Sequence, residues 1–243
     1  MANAKKVLLF VVEGQSEEVA FGILFKRLFG EHAVMFDVVR GDITTAWSET
    51  RGVSRRGGEP NARNRLRDHL VQHIMRQPYE WKDLLRIVQI TDTDGAFVDD
   101  CFVREVSDAR GVRYSSDHME ARDRNKICER NRMKKRALVQ MHSSKAITYG
   151  GIEVPYAVYY LSRNMEHVLH GCEEDVSDAE KGLMARRFQM RYKNDLEGFA
   201  AFLHSEELAV LGNYDETWRF ISEECHSLER HSNLHLVLPS YFM

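Results

Sequence analysis

A chain of 243 residues, 43% hydrophobic and 29% charged, has the length of one large α/β domain and enough apolar residues for a buried core. Its formal net charge of −3 at pH 7 points to no polyanion partner by itself, and no run approaches the ~20 apolar residues of a membrane-spanning helix, so no membrane partner is expected. Four scattered cysteines, Cys101, Cys128, Cys172 and Cys225, form no C-x-x-C pair, which argues for reduced thiols and against a disulfide framework or zinc ribbon.

The opening MANAKK runs straight into a strand with no secretory apolar region, so a cytoplasmic location is expected. Six unalternating apolar residues, Val7–Val12, predict a strand covered on both faces, as in a parallel sheet. A helix is predicted over 16–29, where Ala20, Phe21, Leu24, Phe25 and Leu28 recur at helical spacing and Ser16 can cap the start. A second strand is predicted over 34–39. Residues 41–61, rich in Gly, Ser, Thr and Arg, read as a long loop leading into a helix over 62–75. The third strand, 84–91, ends in DTDG, and the fourth covers 156–161. Between them 116–150 reads as an insertion with a long charged helix over 117–141. Beyond residue 165 the chain reads as helical, and the final NLHLVLPSYF reads as an edge strand or a docked tail. This alternation predicts a doubly wound, mostly parallel α/β sheet. Its expected parts are a core over 1–115, the helical insertion over 116–150, and a last strand with a helical region over 151–243.

Open α/β sheets gather functional groups beyond the carboxyl ends of their strands. Glu13 follows the first strand, and Asp92 and Asp94 end the third, with Gly95 permitting a tight turn. If those strands are close, three carboxylates converge, and like charges so crowded need a cation. Oxygen donors with waters favour Mg2+ or Mn2+. Glu17, one helical turn beyond Glu13, can face the same ion. Glu17 and Glu18 also suit the first turn of a helix, where acids complement the macrodipole, and DTDG also suits an Asx-rich turn.

Four segments carry a resemblance. LLFVVEGQSEE resembles the first motif of Toprim domains, an apolar strand ending in Glu-Gly with an acid four residues on, and IVQITDTDG resembles the second, a strand ending in Asp-x-Asp. YLSRNMEHVLHG further resembles a stretch of the RloB-like nucleases, with Ser162, Asn164, Glu166 and His170 at the matching positions, and MRYKND resembles a later motif carrying a lysine, here Lys193. The proline that usually follows the Asn is missing, and His167 is extra. The resemblance, to RloB-like and OLD-type Toprim nucleases, implies a Toprim-like (Rossmann-like) sheet and metal-assisted phosphodiester cleavage. Glu13, Glu17, Asp92 and Asp94 would then hold one or two Mg2+ or Mn2+ ions. Glu13 would alternatively serve as general base, Glu166 would join the catalytic set, and Lys193 would place positive charge near the transition state. A role in phage or mobile-element defence and a separate ATPase partner are implied in the same way.

The near-neutral total hides a basic middle. Arg51, Arg55, Arg56 and Arg63 crowd the loop and helix start, and Lys134, Lys135 and Arg136 lie in the charged helix. Clustered cations are the footprint of nucleic-acid binding, DNA or RNA; the helix also has the spacings for intrahelical ion pairs. His167 and His170 share a helix face, as a metal pair or a hydrogen-bonded structural pair. The alternative to a nuclease is a non-catalytic Toprim-like subunit that binds nucleic acid or a partner.

Overall fold

β1 is Val7–Val12, and all six of its side chains are buried. Leu8, Phe10 and Val12 pack on helix α1 (Gln15–Leu28), whereas Val7, Leu9 and Val11 pack on helix α2 (Ala62–Ile74). A strand with an apolar layer on each face needs apolar residues at every position, which is why the sequence does not alternate. The computed structural model describes residues 6–30, 32–39 and 61–239; Arg51, Arg55 and Arg56 of the basic loop lie outside them.

β1 runs parallel to β2 (Ala33–Val38) on one side and β3 (Leu84–Asp92) on the other. β8 (Ile152–Leu161) continues parallel to β3, and β7 (Ala146–Tyr149) closes that edge antiparallel, giving the order β2-β1-β3-β8-β7. Gly150 and Gly151 join β7 to β8 at φ of +58° and +80°. A two-residue hairpin with both residues at positive φ matches the twist of its strands, and glycine supplies that conformation without a steric penalty.

α1 carries the chain from β1 to β2 over one face, and α2 carries it from β2 to β3 over the other. The winding therefore reverses between β1 and β3. That reversal opens a crevice beyond the carboxyl ends of these two strands. α2 is pinned over β2 by a buried carboxylate: Asp37 meets His69 Nε2 at 2.8 Å and His73 Nδ1 at 3.0 Å. Burial pushes the Asp37 carboxyl up, but the two histidine hydrogen bonds outweigh it and hold it below its ordinary value.

Three short strands, β4 (Val103–Glu105), β5 (Val112–Tyr114) and β6 (Met119–Ala121), form a separate sheet in the order β4-β6-β5. Helix α3 (Arg124–Ser143) then packs on the α2 face, giving Ala137, Leu138 and Met141 to the core. The segment 116–150 is thus divided among the small sheet, a core helix and the edge strand β7 of the main sheet, so helix makes up only part of the expected helical insertion. Helices α4 (Met165–His170), α5 (Asp178–Tyr192) and α6 (Leu196–Leu203) cover the α1 face. Phe10 stacks there on Phe25 at 4.6 Å and on Phe36 at 5.2 Å. Helix α7 (Tyr214–Ile221) joins the opposite layer through Trp218 and Ile221. Near the C-terminus Leu234–Val237 forms a 3-10 turn whose Leu234 and Val237 reach the α1-side core, so this segment docks and does not add a strand.

Candidate functional site

Glu13 directly follows β1, and Asp92 is the last residue of β3. The two parallel strands pair Val11 with Gln89, and continuing that register sets Glu13 level with Thr91. The Thr91 hydroxyl donates to Glu13 Oε1 and fixes the carboxylate. Side chains alternate across a sheet, so Thr91 is turned toward the α3 face and Asp92 toward the α1 face.

Asp94 lies in the turn beyond β3 with a left-handed backbone, φ +49°, followed by Gly95 at φ +69°. A Cβ at Gly95 would stand 2.6 Å from Met119 Sδ, so close approach as well as conformation calls for glycine here. Thr93 N–H donates to the Leu161 carbonyl and Asp94 N–H to the Arg163 carbonyl, each at 2.9 Å, tying the turn to the end of β8. Arg130 Nη2 donates to the Asp94 carbonyl at 2.8 Å.

Lys134 corrects the sequence reading. It was expected on a nucleic-acid-binding surface, but its side chain is 0% exposed and its ammonium pairs with Asp94 and, at 3.8 Å, with Glu13. The reason is helical phase: Lys134 shares the buried stripe of α3 with Ala137, Leu138 and Met141. Lys135 is half-buried with its ammonium 5.9 Å from the centre of the Phe97 ring, whereas Arg136 and Arg63 are exposed.

The α1 side holds the other acids. Glu17 is 8% exposed and curls back over Gly14, its Oε2 3.0 Å from where a Cβ on that glycine would be. Burial raises the Glu17 carboxyl; backbone hydrogen bonds at Glu17 and Gly14 oppose this, Glu166 adds to it, and Lys181 offsets part. Glu17 thus sits in the first turn of α1 and lines a cleft. Glu166, in the first turn of α4, is 4% exposed. Asp92 Oδ1 is buried and has no hydrogen-bond partner. Desolvation first, then the charges of Glu13, Glu17 and Asp94, push the Asp92 carboxyl well above the usual carboxylate range, with Lys134 opposing.

These carboxylates meet at a cleft of about 570 Å³. Glu13, Glu17, Asp92 and Glu166 line it from the strand ends, α1 and α4, and Lys181 and Arg186 line it from α5. The two α5 cations escaped the sequence reading. Their signal is the run DAEKGLMAR, which sets Asp178, Lys181, Gly182 and Arg186 within one helical face. Lys193 is the C-cap of α5, about 18 Å along the helix axis from Lys181 at 1.5 Å per residue, and the structure does not bring it to the cleft.

The residues around Glu166 have local structural duties. Asn164 caps α4 by accepting the His167 N–H at 2.9 Å. Ser162 Oγ accepts the His231 N–H at 2.7 Å and donates to the Glu229 carbonyl, fastening β8 to the C-terminal segment. His167 is buried, and burial, with Arg163 next, lowers its imidazole to about 4. His170 is exposed at the helix end, edge-on to Phe188 at 6.0 Å.

Among the described residues, no three His, Cys, Asp or Glu side chains are grouped so as to hold a metal ion. Mg2+ does not require such a group, because it keeps several waters and takes one or two carboxylates. Asp92, with a buried and unpartnered oxygen beside other acids, supplies that donor chemistry. No family model, no curated protein and no solved structure matches this chain.

Proposed function

We propose that this protein is a Mg2+- or Mn2+-dependent phosphodiesterase that cleaves DNA or RNA, on a Toprim-like fold resembling that of the RloB-like and OLD-type nucleases. The observation that carries the reading is Asp92 Oδ1, buried without a partner at the crevice between β1 and β3 and crowded by Glu13, Glu17 and Asp94. A carboxylate in that setting stays protonated or takes a cation. Asp92 would hold the ion, with Glu13 and Glu17 as further donors, and the ion would supply a polarised phosphate oxygen and an acidified water. Thr91 holds Glu13 in one orientation, which suits a carboxylate that receives a proton. Lys134 balances Asp94 and Glu13 from within the protein, so the site does not carry its full negative charge toward an incoming phosphate.

Asp92→Asn keeps the shape and removes the charge. Mn2+-dependent cleavage of labelled DNA and RNA should fall more than about a hundredfold, with the melting temperature unchanged or raised. A wild-type protein that cleaves no nucleic acid with any divalent ion overturns the proposal.

A second reading is a non-catalytic subunit that binds nucleic acid or a partner, such as an ATPase in a defence system. Lys134 favours it, since a built-in ammonium already neutralises two of the acids. Under that reading Asp92→Asn leaves nucleic-acid or partner binding intact and there is no cleavage to lose.

A further inference from the structure

Helix α5 turns Asp178, Lys181, Gly182 and Arg186 toward the cleft. Gly182 is a poor choice inside a 15-residue helix, because glycine gives up more backbone freedom on folding than alanine does. Packing does not explain it: nothing lies within 4 Å of a Cβ built there, and its backbone is ordinary helix. What the missing side chain leaves is a gap in the cleft wall. In helical projection the gap falls between the two cations, Lys181 and Arg186.

The acidic side of the cleft is recessed. Glu17 and Glu166 are buried, and so is Asp92 Oδ1. A duplex is stiff over ~150 base pairs and cannot fold one phosphate inward to such a floor, whereas a single strand can. The volume of about 570 Å³ is that of a site for one small ligand unit at a time.

We propose that the Gly182 face of α5 is the strand-binding wall of the cleft: Lys181 and Arg186 take a phosphate of an unpaired DNA or RNA strand, and the gap at Gly182 lets the sugar–phosphate backbone lie against the helix. The inference rests on reading the cleft as a phosphodiesterase site, and it names the substrate class. Phosphate contacts fix register without reading bases, so binding is indifferent to sequence.

The test is fluorescence anisotropy with short labelled single strands of DNA and RNA and with a blunt duplex, in EDTA and in Ca2+, over a range of salt. Single strands are expected to bind at least about tenfold more tightly than duplex. Lys181→Gln should weaken single-strand binding about tenfold and lower the slope of log affinity against log salt by about 0.7. Gly182→Ala should raise the melting temperature. Gly182→Leu should fill the gap and weaken binding at least about tenfold while melting no lower than wild type. Binding by Gly182→Leu equal to wild type, an unchanged salt slope for Lys181→Gln, or preference for duplex overturns the wall. These readouts need no turnover, so the wall stands if the wild type binds as expected yet never cleaves. Cleavage by the wild type together with unimpaired Gly182→Leu sinks the wall and leaves the phosphodiesterase reading in place.

Discussion

Lys134 is the residue whose chemistry most depends on its surroundings. A buried ammonium is tolerated when carboxylates face it, and Asp94 and Glu13 do. Removing one partner of such a set leaves the others uncompensated. Lys134→Met is expected to lose about 2–4 kcal/mol of stability by urea denaturation, less than a wholly buried pair would lose because both acids retain some solvent. Adding Asp94→Asn should restore part of the loss, and a single variant as stable as wild type would show that the ammonium does not hold the turn. Glu13 and Asp92 stand out in the sequence because an acid at the end of an apolar strand has no local structural use, whereas Asp94, expected beside them, pairs with Lys134 and is not among the residues lining the cleft. Lys134 was not, because in NRMKKRA its charge looks like any solvated helix face. Only the phase against Ala137, Leu138 and Met141 gives it away.

At the level of elements, α4 and the C-terminal turn each carry a histidine held neutral. Burial first, then Arg163, Arg230 and His231, lowers His167 to about 4, and burial with His204 lowers His235 to about 4. Both folded values lie below the ordinary histidine value, so the unfolded chain binds protons first as pH falls. Their contribution is complete above about pH 6.5 and is lost progressively toward pH 4. At pH 5 the loss should be about 1–2 kcal/mol for each histidine relative to pH 7. A urea midpoint that falls between pH 7 and 5, and falls less in His167→Asn, bears this out; equal falls in both proteins would remove His167 from the account. The long elements were legible: β1, α1, β2, α2 and β3 each fall within a residue or so of the expected bounds. β4, β5 and β6, three residues each, were not, since so short a run cannot display alternation. The expected helix over 117–141 begins only at Arg124 because 119–121 pair with β4 and β5 instead.

For the molecule as a whole, the mostly parallel sheet was readable from alternating strands and helices, but the strand order was not. Periodicity reports how a strand is covered and says nothing of which strand lies beside it. Nor does a division at 115 follow the packing. β3 pairs with β8 over six residue pairs, Ile87–Asp92 with Tyr156–Leu161, and α3 seals the α2 layer. A fragment of residues 1–115 is therefore expected to show no cooperative urea transition by circular dichroism, where the full chain shows one. A sharp transition in the fragment would restore the earlier boundary.

The ammonium that steadies Asp94 and Glu13 comes from a helix encoded some forty residues after Asp94. As the chain leaves the ribosome, the acids at the ends of β1 and β3 are made before the ammonium that pairs with Asp94 and Glu13. The Asp94 turn therefore cannot take its paired form until α3 has been synthesised and has docked.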